Sequence, residues 1–440
     1  MSLSKVFSLL LHPLLLVLLS SPVIVLLLAI QTEPVSVSAP ALTADEISRM
    51  EQLLLESAPQ SPSIHSQHNL RLDADELNLL LRYSINSMQL SPEWAAVLSL
   101  DDNAVYADLT FQLADSWIPL FLNIRANFNL SNPTLALDKL IVGKLQVPRG
   151  LLQLAFSRIQ NNLGNKNSAY RDLNQLIANV NQVSVLQGRM LVALQWDPDL
   201  ISRISDQTQQ LFISDRDRQR ITEHYRLISE IAATIPLDRR AVSLNTFLVP
   251  LFAAAYEKSE NGSDPIAENR TLFQTLAIYI NNEDIAQLLG ETLAGQIQPA
   301  KYVEVRLQRR QDLAQHLVSI AAITSSAGAD FAQLLSTIKE AYDARYRSGF
   351  SFSDLTANTV GVSLASLSTQ DHATAIEMQI RFAALQAESD YMPQVGNNRD
   401  GISESDFTAI YSDRNSHEYQ QRLANIQALI EARPLFQGLD

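Results

Sequence analysis

Between Val105 and Leu130 the chain alternates between apolar and polar side chains, and few folds tolerate that pattern. Val105, Leu109, Phe111 and Leu113 are interleaved with Tyr106, Asp108, Thr110 and Gln112. Leu120, Leu122, Ile124, Ala126, Phe128 and Leu130 follow, separated by Asn123, Arg125, Asn127 and Asn129. A period of two sustained over that length specifies strands with one dry face and one wet face. Leu135 to Val147 continues the sheet until Pro148 ends it. Val183 to Trp196 returns as strands around a Gln187-Gly188 turn. Helices flank the sheet: Asp73 to Ser87 with Leu77, Leu80 and Leu81 on one face, and Arg149 to Asn162. A third is announced by the capping-box spacing of Thr43 to Glu46. An antiparallel sheet with flanking helices is expected over residues 43–203.

The N-terminus carries a different signal. From Val6 to Ile30 there is no Asp, Glu, Lys or Arg, a length that suits a helix crossing about 30 Å of hydrocarbon. Lys5 precedes the run, and Glu33, Asp45 and Glu46 follow it. The positive-inside rule then puts the rest of the chain on the extracytoplasmic side of a cell inner membrane. A cleaved signal peptide is the competing reading, but the apolar core is long and the cut after Ala41 lies far beyond it. The sequence thus predicts a membrane anchor over residues 1–30 and a short extended stalk over 31–42. Through that anchor the lipid bilayer is the first expected partner.

Residues from about 204 to 440 change to a 3.6 period. Ile221, Tyr225, Ile228 and Ile231 share a helix face, and further helices are expected near Leu244, Asn269 and Glu283. Asn261 to Pro265 forms a loop between them, and Tyr302 to Leu307 reads as one short strand. The fold class expected is therefore α+β: a transmembrane helix, an antiparallel-sheet domain, then a mainly α-helical domain.

Composition removes several functions. The formal net charge of −14 opposes a phosphate-binding surface, so no nucleic-acid partner is expected. The chain has no cysteine, which excludes disulfides, thiolate catalysis and cysteine-ligated zinc. No Walker loop, Gly-x-Ser-x-Gly or His-Glu-x-x-His occurs. No reaction or cofactor is indicated.

One polar constellation stands out, on three expected helices between Gln308 and Leu367. Asp312, His316 and Ser319 lie along one stripe of the first. Glu340 and Asp343 oppose the apolar face of the second. Asp354, Asn358 and Gly361 align on the third, where glycine lets a neighbouring helix approach closely. A histidine with two or three carboxylates suits a divalent metal or general acid-base chemistry. The same residues equally suit a buried polar network holding three helices in register, or a solvated surface.

Two resemblances accompany these residues. Asp75-Glu76-Leu77-Asn78, the long meander, and Ile141-Val142-Gly143-Lys144-Leu145-Gln146-Val147-Pro148 before a helix resemble YpmS-like envelope proteins over Asn69 to Trp196. That resemblance implies a membrane-tethered curved sheet related to lipid-binding modules. Packing of the apolar face on the domain's own helices is the alternative. The order His316, Ser319, Lys339-Glu340, Asp343, Ser353-Asp354-Leu355, Asn358, Gly361 is similar to the YfiM-like and VanZ-like helical families. Those families place such helices in or at the membrane. Here the segments are too short and too interrupted by charge to span it, and the resemblance brings no established reaction. The function expected is structural or binding, in lipid handling or envelope assembly, with lipid or a membrane protein as partner. The alternative is a metal-dependent hydrolase using His316, Glu340, Asp343 and Asp354.

Overall fold

The computed structural model describes residues 28–36, 49–50, 65–88, 94–101, 104–114, 117–130, 136–154, 178–197, 214–327, 348–396, 398–414 and 416–439, with isolated positions 46, 53, 158, 175, 200 and 336. The chain divides into two compact units, the first reaching Ile201 and the second comprising Ser202–Asp440 with Leu54–Glu56.

In the first unit the alternating segments become β3 (Trp94–Asp101), β4 (Ala104–Ala114), β5 (Leu120–Asn129), β6 (Ala136–Val142) and β7 (Leu145–Gln146), an antiparallel meander. β1 (Ile30–Gln31) pairs with β5 to make the sixth strand. Register fixes the faces. Leu98, Ala107, Ala126 and Leu140 lie in one row across the sheet, and Ala96, Leu109, Ile124 and Val142 in the next. The opposite side carries Ser99, Asp108, Thr110, Asn123, Arg125 and Lys139. The apolar side is only partly covered: Ala126 is the buried member of these rows, Val105 is buried in the row of Leu100 and Phe128, and Leu113 is left 47% exposed.

A second sheet joins β2 (Ser66–Asp73), β9 (Arg189–Trp196) and β8 (Val180–Leu186), all antiparallel. Gln187 and Gly188 both have positive φ, 53° and 74°, as a two-residue hairpin between right-twisted strands demands. Between β2 and β3 runs α1 (Ala74–Met88). Asp73 and Glu76 cap it reciprocally: each carboxylate accepts from the other's backbone N–H at 2.9 Å. Leu72, Leu77, Leu98, Leu100 and Met190 cluster beneath it.

The expected transmembrane helix needs correction. Among the described residues no helix is long and apolar enough to cross a membrane. Residues 6–27 of the expected span lie outside the described residues. Its last residue, Ile30, is in a strand, with Leu122 as its register partner. Backbone groups committed to an inter-strand ladder are not free for the intrahelical bonds a span requires. Leu28 is tied down as well, its carbonyl accepting from Lys144 N at 2.8 Å. The first residues of the expected stalk are fastened to the polar side of the sheet. Val35 and Ser36 donate backbone N–H groups to Thr110 Oγ1, and Asn123 Nδ2 donates to the Glu33 carbonyl.

The second unit is helical. α2 (Asp215–Thr234), α3 (Asn245–Glu260) and α4 (Pro265–Ile280) precede two short turns, Ala286–Leu289 and Glu291–Ala294. α5 (Gln311–Ala327), α6 (Phe352–Thr369), α7 (His372–Ala383), α8 (Glu404–Tyr411) and α9 (His417–Glu431) follow. Among the described residues six N-termini are capped by short polar side chains: Ser214, Asp264, Ser351, Asp371, Ser403 and Ser416. The expected strand near Tyr302 is β11 (Glu304–Arg306), parallel to β10 (Ala241–Ser243). α5 packs along α6 and across α4. The core centres on Phe247, Phe252, Phe273 and Phe382, with Phe252 stacked on Phe382 at 4.0 Å.

Candidate functional site

The close approach of α5 and α6 builds the site. Gly361 makes it possible: a Cβ there would stand 2.4 Å from the Leu317 carbonyl oxygen. One turn towards the N-terminus of α6, Asn358 faces His316, with Nδ1 and Oδ1 3.0 Å apart. The Asn358 amide donates to Ser336 Oγ at 2.7 Å, and both residues are buried. If the amide is oriented this way, the His316 nitrogen facing its oxygen carries the proton. His316 Nε2 lies 3.5 Å from Asp354 Oδ2, an ion pair whenever the ring is protonated.

Asp354 sits in the first turn of α6, where the helix dipole favours a carboxylate. Its backbone N–H is capped by Ser351. It is also paired with Arg310, which ends the tight turn ahead of α5. Arg310 reaches Asp312 at 2.6 Å, Asp354 at 3.1 Å and Asp400 at 3.0 Å. Asp400 accepts from the Ser353 backbone N–H at 2.9 Å and from Ser351 Oγ at 3.0 Å. Hydrogen bonding to Asp312 pushes the Arg310 guanidinium above its ordinary range, against desolvation. Burial would raise Asp312 and Asp400, but Arg310 acting on both, and the Ser353 hydrogen bonds on Asp400, outweigh it and hold both carboxyls low.

The turn that carries Arg310 is itself constrained. Gln308 and Arg309 both have positive φ, 49° and 67°, which is strained for residues with a Cβ. Glu388 holds this turn, accepting from Gln308 N at 2.7 Å and from Ser243 Oγ at 2.6 Å. The Gln308 side chain donates to the Pro393 carbonyl and accepts from Val395 N.

The structure therefore brings together His316, Asp354 and Asn358. Ser319 faces elsewhere and accepts from Asn281 Nδ2 at 2.8 Å. Glu340 and Asp343 lie outside the described residues. Arg310 and Asp400 are the members that sequence reasoning missed. Arg310 precedes the helix by a turn, and Asp400 comes from a loop without periodicity. Among the described residues, no three His, Asp or Glu side chains gather where they could hold a metal ion. The cation that the carboxylates meet is the protein's own guanidinium.

A second charged cluster, also missed, ties α2 to α3 and α4. Glu268, in the first turn of α4, lies 3.1 Å from Arg220, 3.2 Å from His224 and 3.7 Å from Lys258. Ser263 Oγ donates to it at 2.6 Å. Burial opposes its ionisation, but His224, Ser263 and Lys258 hold it at about 2. Asp217 pairs with Arg220 and Arg270, and Glu223 with Lys258. His224 is buried beside Ile221 and Ile228 on the helix face whose apolar stripe alone was legible.

A comparison with protein-family models, curated proteins and solved structures finds no match for this chain.

Proposed function

We propose that this chain is a binding protein that handles lipid, with the apolar side of the six-stranded sheet receiving an acyl chain. One observation supports the reading: two rows of apolar side chains run across four strands, yet Ala126 alone among their members is buried and the rest are half-buried. A sheet face of that composition normally disappears into a core. Its interior strands already have backbone partners on both sides, so the face offers no strand addition. Without a polar side chain in the rows, it suits an aliphatic chain better than a protein surface, which needs polar pairing at its rim.

The helical unit fits a supporting role. Asp354, which would be the central ligand of a metal-dependent hydrolase, is paired with Arg310 instead. The purified chain should bind a fluorescent long-chain fatty-acid probe, and organic extraction followed by mass spectrometry should recover lipid. Leu109→Asp, placed mid-face, should weaken probe binding at least tenfold while the circular dichroism spectrum is retained. A wild-type chain that binds no probe and yields no lipid would refute the proposal.

A further inference from the structure

The charges around His224 form a balanced set. Arg220 and Glu223 share its helix, together with Asp217. Lys258 faces it from α3, Glu268 and Arg270 come from α4, and Ser263 comes from the loop between those helices. Arg220, Lys258 and Arg270 are matched by Asp217, Glu223 and Glu268, so the cluster is neutral only while the imidazole is neutral. His224 and Glu268 are almost wholly buried, with side chains 1% and 2% exposed. Their facing atoms, His224 Nε2 and Glu268 Oε2, stand 3.2 Å apart, at ion-pair distance. An added proton would therefore place unmatched charge where water cannot reach it.

We propose that the His224–Glu268 pair is an acid-sensitive clasp that holds α2 against α3 and α4 at neutral pH and releases it on mild acidification. This inference is independent of lipid binding. Apolar contacts of Ile221 and Tyr225 with Ile278, Ile285, Leu288 and Leu289 close the helix when the clasp is engaged. Burial, aided by the charge of Lys258, disfavours the imidazolium more than the attraction of Glu268 favours it, so the closed ring titrates below its ordinary value. When α2 opens, the ring meets water and takes its proton at about pH 6.5. The open form then binds more protons than the closed one. Opening should increase as pH falls below that value, by at most about tenfold per pH unit for a single proton.

Hydrogen exchange of residues 215–234 in the full chain, corrected for intrinsic chemistry, measures that opening. Between pH 7.5 and 5 the wild type should lose protection progressively once below pH 6.5, by no more than this slope. His224→Gln keeps a side-chain N–H donor but cannot titrate, and should remove the pH dependence. Direct NMR titration of the His224 ring should give a midpoint below 6.5, and it decides the matter even if the variant fails to fold. Flat protection in the wild type, an unchanged slope in the variant, or a midpoint at or above 6.5 would each overturn the proposal.

Discussion

Replacing Gly361 with alanine tests how α5 and α6 meet, because two opposed effects act at this position. The residue is helical, so alanine should gain about 1 kcal/mol of propensity. Its Cβ, however, would lie 2.4 Å from the Leu317 carbonyl oxygen and 3.3 Å from Ala321 N. Ordinary contact begins near 3.4 Å, so the helices must separate by about 1 Å. Overpacking costs about 1–3 kcal/mol where side chains can adjust. Here both partners are backbone, and Leu313, Leu317 and Ala321 on α5 are fully buried, so the upper end applies. The net loss should be about 2 kcal/mol, or roughly 4–8 °C in the melting of a unit of this size. Calorimetry and urea titration of the full chain would measure it. Gly150→Ala is the control: nothing lies within 4 Å of its Cβ, and the change should be neutral or stabilising by up to about 1 kcal/mol. If Gly361→Ala matched that control, the backbone contact between α5 and α6 would be refuted.

Other perturbations probe the rest of the molecule. His316→Ala should leave the buried Asn358 oxygen short of a partner and cost about 1–3 kcal/mol in urea titration, with chelator changing nothing. A chelator-sensitive melting temperature, restored by zinc, would show a metal site instead. Asp312 and Asp400 have depressed pKa values, so their contribution is present above about pH 4, the ordinary carboxylate value, and is lost as pH falls through their folded values. Arg310→Gln should flatten that acid limb and cost on the order of 1 kcal/mol at pH 7, a surface-discounted figure. An unchanged pH profile would contradict the network. Gly143→Ala places a Cβ 2.4 Å from the Leu28 and Ala29 carbonyls at a φ of +59°. It should loosen residues 28–36 and speed their hydrogen exchange while β3–β5 stay protected. Equal exchange in both proteins would show that the turn does not fasten the segment.

The strands were legible because their side chains obey a two-residue period, and that period also fixed which residues share a face. It could not show how much of that face the unit covers, since coverage depends on partners remote in sequence. The N-terminal run misled for a related reason. Hydropathy records the absence of charge in Val6 to Ile30, but not that Ile30 finds its register partner in Leu122. At the candidate site, His316, Asp354 and Asn358 were visible as members of helical stripes. Ser319 shares the stripe and yet meets Asn281, because a stripe is wider than one contact. Arg310 and Asp400 were invisible, coming from a turn and a loop where no period operates. His224 was passed over because the apolar positions beside it already explained the helix.

The pairing of β2 with β9 has a consequence for synthesis. β2 is among the first strands of its unit to leave the ribosome, and Trp196, the register partner of Ser66, is near the last. Until then β2 must wait with both edges open, while the meander from β3 to β7 can zip up from neighbours alone. Closing so long a loop costs entropy before any contact repays it, which makes this sheet the late event in maturation of the first unit. A nascent chain stalled before Arg189 would present a formed meander beside an orphaned strand, open to capture by chaperones or by the same strand of another copy.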